Sequence, residues 1–129
     1  MGDRDESIEK YLEEKVESLL NNMSENFDES TISGDSAYIP ILATLYFYEM
    51  HHKVSDPMWA GRDHLIVSDL DCLPYLFGVL SEYKYLQWKR CESTMSWARK
   101  NLRSHSLMIT LPGISGICSK PLISAMYAN

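Results

Sequence analysis

The sequence predicts a mainly α-helical domain with one or two short strands, on three observations. Residues 5–23 carry apolar side chains at three- and four-residue spacing. Two further apolar stretches, 38–52 and 74–83, each have a proline where a first helical turn tolerates one. Only one run, His64–Ser68, is β-rich, short and bounded by turn residues.

In the first helix Ile8, Tyr11, Leu12, Val16, Leu19, Leu20 and Met23 form one stripe. Glu9, Lys10, Glu13, Glu14 and Glu17 take the opposite face, and Asp3 or Asp5 can cap the start. Residues 24–36 (SENFDESTISGDS) are polar and turn-rich and read as a loop. From Tyr38 to about His52 the chain is almost wholly apolar, which predicts a helix covered on several sides. Asp56-Pro57 breaks the chain and Trp59–Asp63 turns it into the strand. Pro74 opens a helix through Leu80 and Tyr83. Ser93 or Thr94 opens another over 92–103, buried through Met95, Ala98 and Leu102. Residues 106–118 fit either a loop or a weak strand, and Pro121 can open a last helix. A lone strand leaves backbone groups unpaired, so His64–Ser68 needs a neighbour. The candidates are residues 107–111, a second copy of the chain, or another protein.

At 129 residues and 45% hydrophobic, the chain has the material for one domain with a real core. It divides into an acidic helix and loop at 1–35 and a larger part at 36–129. The net charge is −6, and it is uneven: the first 30 residues have ten acids against three bases, or −7, and the remainder eight acids against nine bases, or +1. That distribution excludes a general nucleic-acid binder. Residues 84–103 reverse it, with six bases against one acid, and read as a solvated helix face, with a face for a phosphate or an acidic partner as the sharper alternative. The three cysteines have no regular spacing, and the charged start MGDRDESIEK has no signal-peptide core, so a cytoplasmic setting with free thiols is expected. The longest apolar run, Ala37–Tyr48, falls short of the ~20 residues a membrane-spanning helix needs, so no membrane association is expected.

Chemistry-bearing motifs are sparse. His51, His52, Asp56, Asp63 and His64 lie close in sequence, but adjacent histidines point about 100° apart on a helix and no His-x-x-x-His or Cys-x-x-Cys spacing occurs. No metal site is expected. Cys72 follows Asp71, whose charge raises a thiol pKa, while a helix N-terminus near Pro74 lowers it; without a base, Cys72 reads as a buried small residue. GISGICSK at 113–120 does not fit the G-x-x-x-x-G-K-[ST] phosphate loop and reads as a glycine loop, with a small anion nest as the sharper alternative.

The order of segments adds a resemblance. ILATLYFYEM, DPMWAGRDHLIVSD, PYLFGVLSEYKYL and Leu111-Pro112-Gly113 together resemble the start of a transketolase, over about Tyr38–Asn129 and most specifically in Trp59–Ser68. The resemblance implies a partial α/β fold of the thiamine-diphosphate-binding type. In that family the cofactor lies between two subunits and its diphosphate is gripped through a divalent metal. The family's early Gly-His-Pro is replaced here by STISGDS. Its Ser-x-Gly-His becomes Ser68-Asp69-Leu70-Asp71, which puts an aspartate where a histidine faces the cofactor. Beside a diphosphate that charge costs on the order of a few kcal/mol. His105 is the one family site histidine that carries over. The Gly-Pro-Leu-Gly-Gln-Gly turn matches Lys120–Ala125 without its glycines, and the chain ends before the Gly-Asp-Gly metal motif and most of the sheet.

Three readings follow. The leading one is a non-catalytic, transketolase-like binding or regulatory protein, with no cofactor of its own, acting through self-association or a transketolase partner; apolar surface left exposed at Tyr38–Tyr48 and Pro74–Tyr85 would promote that association. The alternative is the N-terminal portion of a split transketolase. A companion chain would then complete a thiamine diphosphate and magnesium site, with His105 contacting substrate and Lys120 assisting with phosphate. A third is a helical adaptor unrelated to transketolases.

Overall fold

A computed structural model describes residues 2–32, 36–104 and 108–118. The chain runs α1 (Gly2–Asn26), α2 (Tyr38–Thr44) with a π-helical turn (Leu45–Glu49), β1 (Ile66–Val67), α3 (Leu73–Glu82), α4 (Cys91–Ser104), β2 (Met108–Leu111) and β3 (Ile114–Cys118). Helices dominate, and the three strands form one mixed sheet in the order β1-β3-β2. No described helix is long and apolar enough to cross a membrane.

The amphipathic stripe of α1 becomes one wall of the core through buried Leu19 and Met23, and the residues after it add Phe27. The buried side chains of α1, α2, α3, α4 and the sheet belong to one cluster, so the acidic helix is built into the domain it precedes. Two polar bonds fix its register on α3: Ser18 Oγ and Asn22 Nδ2 donate to the two carboxylate oxygens of Glu82, at 2.6 and 2.7 Å. Glu92, the lone acid of the basic stretch, turns to the segment after α1 and accepts from the Asp28 N–H at 2.8 Å and from Thr31 Oγ1 at 3.3 Å.

The apolar stretch from Tyr38 is neither one helix nor buried all round. It is α-helical only to Thr44, then widens by one π-helical turn that ends in extended backbone at Met50. The Met50 N–H reaches five residues back to Leu45 O, at 2.8 Å, and the His51 N–H leaves the helix altogether for Asp63 Oδ2, at 2.7 Å. Tyr46 O is thereby freed of a helical partner. Ile39, Leu42, Ala43 and Tyr46 are buried, whereas Ile41 and Tyr48 lie open to solvent.

α3 is the element covered on every side, with each residue from Leu73 to Ser81 buried. The apolar surface expected from Pro74–Leu80 is therefore absent, and only Tyr83 and Tyr85 beyond it are half-exposed. The helix closes in a Schellman pattern: Tyr85 N–H bonds Leu80 O at 2.8 Å and Lys84 N–H bonds Ser81 O at 3.0 Å, with Lys84 at φ 74° where glycine is usual. α4 buries Cys91, Met95, Ala98 and Leu102, spaced as one helical face.

The strand finds its neighbour inside the chain, at a place the sequence did not indicate. β1 is shortened to two residues and pairs in parallel with β3, Ile66 with Gly116 and Val67 with Ile117. Residues 108–111, the region expected to pair with it, lie on the far side of β3 as its antiparallel hairpin partner. Residues 106–118 fit either a loop or a weak strand in the sequence; of these, 114–118 form strand β3. The helix expected from Pro121 lies outside the described residues.

Candidate functional site

The run from Ser68 to Cys72 leaves β1 and enters α3 through a single 3-10 turn (Leu70–Cys72). The C-terminal end of a parallel strand leading into a helix N-terminus is the usual place for an anionic ligand in α/β sheets. Here the chain fills that place with its own charge. Asp69 has extended backbone at φ −102°, ψ 108°, and its Oδ1 accepts the Asp71 N–H at 2.9 Å. Its other oxygen accepts the Tyr38 hydroxyl. Asp71 is exposed beside it. Asp69 thus caps the turn, and Asp71, the residue expected from the resemblance to repel a diphosphate, stands open to solvent next to it.

Cys72 is buried, as expected of a small core residue. Burial first, then the Asp69 charge and more weakly Asp71, push its thiol up to about 12 against a backbone hydrogen bond that pulls the other way. The thiolate needed of a nucleophile is thus disfavoured. Because the folded value lies above the ordinary 9.0, the associated stability is complete below about pH 9 and is lost as pH rises towards about 12. Tyr85, also raised to about 12 by burial and by Tyr83, acts in the same direction. The urea midpoint is expected to fall across that window and to fall less in Cys72→Ala; a midpoint flat through it is the contrary result.

A second concavity, of about 380 Å³, lies at the other end of the strand pair. Arg62 and Asp63, ahead of β1, and Gly113, Ile114 and Ser115, around the start of β3, line it with His52 and Tyr85. His52 Nε2 lies 2.6 Å from the freed carbonyl of Tyr46, which can only accept, so that nitrogen carries a hydrogen. In the neutral ring Nδ1 then accepts from the Tyr85 hydroxyl at 2.7 Å. Tyr46, whose phenol burial holds far above its usual range, donates to Gly113 O at 2.7 Å. Arg62 donates to the carbonyls of Met58 and Trp59, at 3.0 and 2.9 Å. The polar atoms of His52, Tyr85 and Arg62 at this cavity are therefore bonded to its own walls.

The histidines and acids that cluster in sequence are dispersed by these partners. His51 pairs with Asp63 at 3.2 Å, His52 with the tyrosines, and His64 with Ser115 Oγ at 2.7 Å. The Asp63 carboxyl is held below the usual range, chiefly by the His51 N–H. Among the described residues no three His, Cys, Asp or Glu side chains gather as a metal site would. His105 and Lys120 lie outside the described residues. The His52 network was missed in the sequence because Tyr85 comes from a separate segment and nothing local marks the π-helical turn that frees the Tyr46 carbonyl.

A scan against models of protein families, a search of curated proteins and a search of solved structures each find no match to this chain.

Proposed function

We propose that the chain is a non-catalytic, transketolase-like protein of the cytoplasm that works by binding, through self-association or through a transketolase partner. One observation carries the reading: at the strand-turn-helix where a diphosphate would be held, Asp69 caps the turn with its own carboxylate and Asp71 adds a second charge. Thiamine diphosphate does not fit the residues present there. Its anionic end would face two carboxylates, at a cost on the order of a few kcal/mol at close range, with the anion's place already taken. The residues Leu70 and Asp71 also replace the small and basic groups that the resemblance would require, and Cys72 stays a neutral thiol.

Titration calorimetry with thiamine diphosphate and magnesium is expected to give no binding heat. Saturable heat at a fixed stoichiometry would overturn the proposal and favour the split-enzyme reading, in which a companion chain supplies the rest of the site.

A further inference from the structure

The proposed binding role leaves open which surface does the binding. Two exposed features complement each other, and both were visible as opposite charge blocks in the sequence.

The first is a groove of about 360 Å³ between α1 and α2, floored by Leu12, Val16, Leu20 and Pro40 and edged by Glu13 and Glu17. Leu20 is 45% exposed there, and the neighbouring Ile41 is 58% exposed. The two glutamates lie open on a helix in which acids outnumber bases eight to three. The second is the outer face of α4 and the turn before it. Trp97 is 49% exposed at its centre, with Arg90 seven residues before it and Lys100 one turn after. Both cations are exposed. The one acid of this stretch, Glu92, is turned away onto the Asp28 N–H and Thr31. Among the described residues neither Glu13, Glu17, Arg90 nor Lys100 makes an ion pair; the only such pair is His51–Asp63.

An apolar groove with an anionic rim on one face and an indole with a cationic rim on another are complements carried by the same chain. We infer that the α1–α2 groove of one copy receives the Trp97 face of α4 from a second copy, the apolar contact being bounded by Glu13 and Glu17 against Arg90 and Lys100. Tryptophan and arginine are the residues that most often dominate such contacts, and complementary rims select the partner and orient it. Because the two surfaces differ, the contact is head-to-tail; it closes into a ring or dimer, or extends, as its rotation dictates. This rests on the binding role proposed above and names the surface for its self-association arm.

Sedimentation equilibrium at tens of micromolar, on variants confirmed as folded by circular dichroism, tests it. The unmodified chain is expected to associate, and Trp97→Ala to weaken association at least about tenfold. Glu13→Lys with Glu17→Lys reverses the groove rim; Arg90→Glu with Lys100→Glu reverses the helix rim. Each doubly reversed chain alone is expected to stay monomeric. Mixed together they are expected to associate, since each then offers the other a complementary pair. A monomeric unmodified chain overturns the inference and leaves the groove to a different polypeptide. Association indifferent to Trp97 and to both reversals overturns this surface while the self-association reading stands, and the calorimetric test is independent of either result. Failure of the mixed reversals to associate also overturns it.

Discussion

Gly113→Ala is expected to lower the unfolding free energy by about 3 kcal/mol, combining a left-handed backbone cost of ~1–2 kcal/mol with an overpacking cost of ~1–3 kcal/mol. Gly113 turns β2 into β3 at φ 91°, a conformation side chains rarely adopt. A methyl group there would also stand 2.6 Å from Tyr85 Cδ2 and 2.8 Å from Leu80 Cδ2. Neither neighbour yields easily. Leu80 is fully buried in α3, and the Tyr85 hydroxyl is held by His52. The carbonyl of Gly113 also accepts the Tyr46 hydroxyl, so a shift of the turn strains a buried phenol that needs its partner. Urea denaturation with tyrosine fluorescence reads both effects. A loss below about 1 kcal/mol would mean that the turn relocates without disturbing Tyr46, and that the network around His52 is loose.

The parts of this fold that were legible are those whose signal is local. α1 shows its stripe in the sequence because one face alone is buried, and α4 likewise. Pro74 marks the start of α3 to within a residue. What was not legible depends on groups far apart in the chain. β1 could be seen as a strand, but its partner begins at Ile114, beyond two helices, and nothing in ISGIC distinguishes a buried parallel strand from a glycine-bearing loop. The π-helical turn was hidden because it keeps the apolar composition of a helix while its hydrogen bonds shift by one residue. At the candidate site, the sequence located the turn and its charges correctly in Ser68–Asp71. It could not tell which aspartate would cap the turn, since that depends on the extended backbone at Asp69 and on Tyr38 arriving from another helix.

α3 also sets the most severe expected lesion. Phe77 is fully buried at its middle, on a helix whose residues from Leu73 to Ser81 have no solvent-facing side. Truncation to alanine removes the transfer free energy of a ring and leaves a cavity that surrounding elements can fill only by moving together. The helix is pinned on α1 through Glu82, on α4 through the Ser81 Oγ to Cys91 Sγ contact at 2.7 Å, and at its C-terminus by the Schellman bonds. Little collapse is available, so Phe77→Ala is expected to cost about 4 kcal/mol, near the upper part of the range for such changes. Against a total stability of ~5–15 kcal/mol that is a large fraction, and the thermal midpoint should drop on the order of 10 °C or more. Ile41→Ala, at an equally apolar but open position, is expected to change stability by less than about 0.5 kcal/mol. Equal losses at the two positions would show that Ile41 is covered in solution. Because Ile41 lies beside the α1–α2 groove, the same pair of measurements, repeated at increasing protein concentration, separates a core that holds the monomer from a surface that a second copy occupies: the Ile41→Ala loss would then grow with concentration while the Phe77→Ala loss would already be large in the most dilute sample.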